Sequence, residues 1–334
     1  VYGSGGIMTY IDRYAYDKPS VLIPRKGSID KLYYVEKPFW NVDTIFYTEI
    51  DTTKAIPRYV YYCLQQKHLE EYNTAGGVPS LTQKVLNNIE ILVPPLGIQR
   101  EIVRILDNFT NLAAELAAEL AARQKQYAFY RNKLLTFGKI EGARIERIPL
   151  GDIGSICMCK RILKSQTNTV GGVPFYKIGT FGKKADSYIS QETFDEYRSK
   201  YNFPKKGDVL ISAAGTIGRT VVYDGEPAYF QDSNIVWIDN DESIVLNSYL
   251  RYCYELKPWK ASEGGTIPRL YNDNIAKAVI AVPPIEEQKR VVSILDRFDA
   301  ICNDLTSGLP AEIEARQKQY EYYRDRLLSF KERS

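Results

Sequence analysis

Four glycine-marked turns gather most of the side chains that could do chemistry. Gly27 stands beside Arg25, Lys26, Ser28 and Lys31, and Gly215 beside Ser212, Thr216 and Arg219. The pairs Gly76-Gly77 and Gly264-Gly265 are flanked by Ser80, Gln83 and Lys84 and by Arg269, Tyr271, Asn272 and Asn274. A glycine turn lets one backbone come close to another. Arg, Lys, Asn and Gln pair with base edges, and Lys and Ser hold phosphates. Taken singly, each residue is more simply part of a structural turn with solvated charges. The arrangement occurs twice, and a duplicated set favours recognition.

Bond-making chemistry is harder to find. The one histidine, His68, falls on a helix expected from Pro57 to Glu71 and reads as helix surface. No Ser-His-Asp set can be assembled around it. There is no G-x-x-x-x-G-K-[ST] phosphate loop and no G-x-G-x-x-G dinucleotide fingerprint, and Gly179 to Lys183 is only a partial glycine loop. The Asn/Asp-Pro-Pro-aromatic segment of amino-methyltransferases is missing, because the tandem prolines here follow valine. Cys157 and Cys159 form a C-x-C with no second pair, so no structural metal is expected. Five scattered cysteines point to a reducing compartment.

The composition sets wide bounds. A chain of 334 residues has room for two domains, and 44% hydrophobic with 25% charged residues is ordinary for a globular protein. No apolar run reaches the roughly 18 residues of a membrane span, and no signal peptide is read, although the first residue is Val1. A net charge of +3 is only weak support for a nucleic-acid partner. The 26 tyrosines against 12 phenylalanines suit interfaces, or simply tyrosine-rich strands.

The turns hang on a stretch that occurs twice, from Ile91 to Phe137 and from Ile280 to Phe330. Both copies begin Val-Pro-Pro, at Val93 and Val282, and continue with Gln99-Arg100 and Gln288-Lys289. Both carry Ile-Leu-Asp, at Ile105 and Ile294, and end in Arg-Gln-Lys-Gln-Tyr, at Arg123 and Arg316. Apolar residues recur at steps of three and four: Ile102, Ile105, Leu106 and Phe109 in the first copy, Val291, Ile294, Leu295 and Phe298 in the second. That spacing predicts two amphipathic helices, each opened by proline and roughly 60 Å long. Two ordinary core helices would show the same pattern; length and duplication favour a paired-helix spacer.

Inside the first helix run four-residue units headed by Leu112, Leu116 and Leu120; the second has four, headed by Ile301, Leu305, Leu309 and Ile313. The copies are offset by 189 residues before these units and by 193 after them, so one tetrad separates them. A tetrad lengthens a helix by about 6 Å while turning its face by only about 40°. Gly308 and Pro310 predict a kink or break in the second helix.

The expected fold is mixed α+β with a pseudo-twofold internal repeat: two domains separated by a pair of long antiparallel helices. Residues 1–94 form the first domain, 95–137 the first helix, 138–147 a connection, 148–283 the second domain and 284–330 the second helix. Expected strands in the first domain are Ser20–Ile23, Phe39–Thr48 and Ile89–Val93. The strand and turn at Val209–Arg219 answer those at residues 21–29, and Tyr249–Cys253 answers Tyr59–Cys63. Residues 148–188 have no counterpart, which predicts a first domain lacking roughly its first 40 residues.

The doubled Val-Pro-Pro, Gln-basic, Ile-Leu-Asp and Arg-Gln-Lys-Gln-Tyr elements, over nearly the whole chain, resemble the specificity subunit of type I restriction–modification systems. The Leu-Ala-Ala-Glu tetrads look like the short central repeats of variable number in that family. The resemblance implies two target-recognition domains reading a bipartite sequence in double-stranded DNA. It also implies two methyltransferase subunits bound to the chain and carrying S-adenosylmethionine, with room for restriction subunits that use ATP and magnesium. This chain would then hold no cofactor, perform no catalysis and work in the cytoplasm, with no membrane partner. A non-catalytic protein-interaction scaffold is the alternative.

Overall fold

Ser20–Pro24 is a short run with apolar residues on both faces, and both faces are used. Val21 and Ile23 pack with Ala55, Val60, Leu64 and Leu81, while Leu22 packs with Val35, Phe39 and Ile45 on the opposite side. Alternation along a strand makes that division unavoidable. The computed structural model describes residues 1–73, 76–137, 145–260 and 269–329, and places this strand at the centre of a three-stranded antiparallel sheet between Tyr33–Val35 and Ile45–Tyr47. The strand expected from Phe39 to Thr48 narrows to its last part, with isolated bridges at Phe39 and Asn41.

The chain divides into two compact units, Val1–Leu120 with Leu305–Ser334, and Ala121–Asp304. In the second unit Val209–Ser212 pairs with Thr220–Val222 and Ile235–Asp239 as Ser20–Pro24 does with its neighbours, and a fourth strand, Ser155–Cys157, covers the far edge of Ile235–Asp239. A second small sheet, built from Thr167–Asn168, Val173–Tyr176, Tyr188–Ile189 and Tyr229–Phe230, comes mostly from the segment without a counterpart.

In each unit a tyrosine-rich helix follows the sheet. Pro57–Gln66 opens on proline and buries Tyr59, Val60, Tyr62, Cys63 and Leu64. Asn247–Glu255 buries Tyr249, Leu250, Tyr252 and Cys253 at matching positions. The first helix stops five residues short of the expected Glu71. Lys67 closes it, His68 takes a left-handed φ of 46°, and Leu69–Tyr72 is a separate 3-10 turn. His68 is therefore an exposed left-handed residue between the two helical pieces and not helix surface.

Leu96–Thr136 is one continuous helix of 41 residues. The second copy is broken, as Gly308 and Pro310 predict, into Ile285–Asn303 and Leu309–Leu328, the latter starting on proline with Gly308 extended before it. In the first unit Ile102 and Leu106 pack with Leu328, and Phe109 stacks on Tyr323 at 5.4 Å, so the two segments run antiparallel. In the second unit Phe298 stacks on Tyr130 at 5.8 Å and lies 6.3 Å from Tyr127. Each unit joins the start of one helical copy to the end of the other. Among the described residues no helix is long and apolar enough to cross a membrane.

Two further expectations change. Ile89–Val93 forms no strand, whereas its counterpart Val279–Val282 pairs with Glu146–Pro149. A strand exists only through its neighbour's hydrogen bonds, and no described residue of the first unit supplies an equivalent of Glu146–Pro149. Glu146 and Arg147, read as the end of a connection, belong to that strand; residues 138–144 lie outside the described set.

Candidate nucleic-acid interface

In the first unit the glycine turn and the double-glycine loop are stitched together by backbone. Gly27, at φ +80°, donates to the Pro79 carbonyl at 3.0 Å, Leu81 N donates to the Arg25 carbonyl at 2.9 Å, and Lys26 bridges to Ser80. That left-handed φ is open to glycine at little cost. Asn73 Oδ1 accepts from Ser80 N at 2.9 Å and fixes the loop from behind. The structure thus brings Arg25, Lys26 and Ser80 to one point. Lys26, Lys31, Gln83 and Lys84 are exposed, and Arg25, Ser28 and Ser80 half-buried. Gln83 and Lys84 begin a one-turn helix capped by the Thr82 hydroxyl.

The second unit repeats the stitching. Leu270 N donates to the Ala213 carbonyl at 2.8 Å, and Ala214 bridges to Arg269. Thr216 is exposed at the tip of the turn. Arg219 reaches the Phe181 carbonyl at 2.8 Å, and the Arg269 guanidinium lies 5.9 Å from the Tyr271 ring. Asn272 is exposed, while the Asn274 side chain accepts from Tyr271 N and caps a short helix. Ser212 departs from the expectation. It is 2% exposed, its hydroxyl donates to the Thr216 carbonyl at 2.5 Å and accepts from Arg219 N at 2.8 Å. Its polar groups are spent inside the turn, so it shapes the loop and cannot face a ligand. Gly264 to Pro268 lie outside the described residues.

Beside these loops the second unit has a cleft of about 690 Å³, lined among others by Arg161, Lys177, Gln231, Asn234 and Arg269. Asp232 pairs with Arg161 at 2.9 Å and Asp186 with Lys177 at 2.8 Å. Sequence reading missed Arg161, Lys177, Gln231 and Asn234. Arg161 and Lys177 come from the segment where the repeat gave no guide, and the cluster Gln231-Asp232-Ser233-Asn234 was the one available signal for the other two. Cys159, by contrast, is core: burial pushes its thiol up to about 12, so it stays protonated.

Each loop-bearing domain is fixed to its helix by a duplicated joint. Gln99 is fully buried; its Oε1 accepts from Ile56 N at 2.8 Å, and its Nε2 donates to the carbonyls of Lys54 at 2.9 Å and Pro94 at 2.6 Å. Gln288 does the same with Leu246 N, Ile244 O and Pro283 O, at 2.9, 2.8 and 2.8 Å. The Tyr59 hydroxyl donates to the Leu92 carbonyl at 2.8 Å and that of Tyr249 to Ala281 at 2.9 Å. Tyr62 and Tyr252 donate to Asp107 and Asp296. Burial raises both phenols, and the hydrogen bond to the carboxylate adds to it, so each remains the donor. Arg58 on Asp107 at 2.8 Å and Arg251 on Asp299 at 2.6 Å complete the joints.

Two units, each with a sheet, antiparallel helical segments and one stitched loop frame, define a class, and comparison with known proteins gives it a family. Residues 2–123 and 144–315 match the type I restriction modification DNA specificity domain. The chain is 48% identical over 341 aligned positions to a specificity subunit of Haemophilus influenzae, covering 98% of this chain and 87% of that one. It is 33% identical to the EcoR124I/EcoR124II specificity subunit of Escherichia coli, over 85% of this chain and 73% of that one. The crystal structure of the S subunit from M. genitalium has the same fold, with a TM-score of 0.62 at 14% identity, covering 99% of this chain and 88% of that one. The chain belongs to the family of type I restriction–modification DNA specificity subunits.

Proposed function

We propose that this chain reads a bipartite sequence in double-stranded DNA, one half-site per unit, and presents that DNA to two methyltransferase subunits. The observation that carries the reading is the loop frame itself: the same backbone stitching occurs in both units, with different side chains on it. One frame with two side-chain sets is what reading two half-sites requires, since phosphate contacts position a reader and side chains on base edges specify.

Catalysis belongs to partners. The sequence carries no nucleotide-binding loop and no methyltransferase motif, so S-adenosylmethionine sits on the methyltransferase subunits, and ATP and magnesium on restriction subunits where these join. The cytoplasm, where DNA is accessible and thiols stay reduced, suits a chain whose five cysteines are all free. Binding of the chain, with its methyltransferase subunits, to random-sequence duplex libraries tests the reading. Selection of a two-part motif, weakening steeply with salt, supports it. Binding with no sequence preference leaves a protein scaffold.

A further inference from the structure

The strand ladders put the two loop frames in register residue by residue. Pro24 pairs with Ile45, and Ser212 pairs with Ile235. One residue on, Arg25 N donates to Thr44 O at 2.8 Å and Ala213 N to Asn234 O at 2.7 Å. Lys26 bridges to Ser80 and Ala214 to Arg269. Arg25 is therefore equivalent to Ala213, Ser80 to Arg269 and Asp43 to Ser233. The first frame has its arginine on the strand-end loop, and the second has it on the double-glycine loop. Their guanidinium groups nevertheless meet the same carbonyl. Arg25 Nη1 lies 3.5 Å from Asp43 O, and Arg269 Nη2 lies 3.3 Å from Ser233 O.

We propose that Arg25 and Arg269 each hold a DNA phosphate at the border of their half-site, at equivalent points of the two units. The proposal rests on the bipartite reading above. Around the two arginines the frames differ, with Lys26 against Ala214, Asp43 against Ser233 and Thr44 against Asn234, as readers of different sequences must. A group kept in place while its neighbours change serves something both halves share. What every half-site shares is the phosphate backbone, which an arginine fork grips independently of sequence. Single-chain alignment hides the equivalence, because it shows Arg opposite Ala and Ser opposite Arg.

The test uses the chain assembled with its methyltransferase subunits and a duplex carrying the motif found by methylation mapping. Arg25→Ala and Arg269→Ala each weaken binding about tenfold and lower the salt slope by about one, while the methylated motif stays the same. The relocated variants, Arg25→Ala with Ser80→Arg and Arg269→Ser with Ala213→Arg, regain both affinity and slope. Arg25→Gln and Arg269→Gln keep a donor for the same carbonyl but lose the charge, so they decide the matter if loss of the arginine unfolds the loop: the loop stays folded and the salt slope still falls by about one. A changed base in the motif would make these residues base readers and overturn the proposal. Unchanged affinity and slope, or folded relocated variants that stay weak, would reduce them to loop braces. A wild-type complex without any selective binding would sink the bipartite reading itself, a result distinct from these.

Discussion

The two buried glutamines show how much a single side chain settles. Gln99 and Gln288 each satisfy one backbone N–H and two carbonyls where domain meets helix. Leucine of similar size would leave those groups buried and unpaired, at about 1–3 kcal/mol for each. Gln99→Leu should therefore cost roughly 3 kcal/mol or more in urea unfolding of the purified chain, and an unchanged midpoint would show that the joint is held elsewhere. The sequence marked both glutamines through the repeat without saying what they do. It marked the loop residues for the same reason, and backbone stitching brings Arg25 and Lys26 to Ser80 in the first unit and joins Ala214 to Arg269 in the second. Arg161 and Lys177 escaped because they have no second copy. Ser212 misled because a serine in a turn is as ready to bond its own backbone as to face outward.

Elements were legible wherever one periodicity sufficed. The 41-residue helix and the break at Gly308 follow from apolar spacing and proline chemistry alone. The strand at Ile89–Val93 was not, because strand identity lies in a partner, which in the second unit is Glu146–Pro149. Nor was the helix end at Lys67, where a histidine in place of glycine takes the left-handed turn. The tetrads are the element-scale lever. Deleting Ala113–Leu116 removes about 6 Å of helix, close to two base-pair steps of roughly 3.4 Å. The methylated motif of that variant should keep both half-sites with a shorter spacer. An altered half-site in methylation mapping would defeat this account of the helix.

At the scale of the molecule, duplication carries the function. Each unit owns a sheet, a tyrosine-rich helix, a glutamine joint and a stitched loop frame, and the frames carry different side chains. The duplication was readable because the repeat spans helices and domains alike; which bases are read was not, because that depends on how each loop docks in a groove. The most direct measurement is base-resolution mapping of DNA methylation in the source cell with and without this gene. Disappearance of methylation from one two-part motif, with other methylated sites untouched, is the predicted result. An unchanged methylome, with the partner methyltransferase shown to be expressed, would contradict the claim that this chain directs modification to a bipartite site.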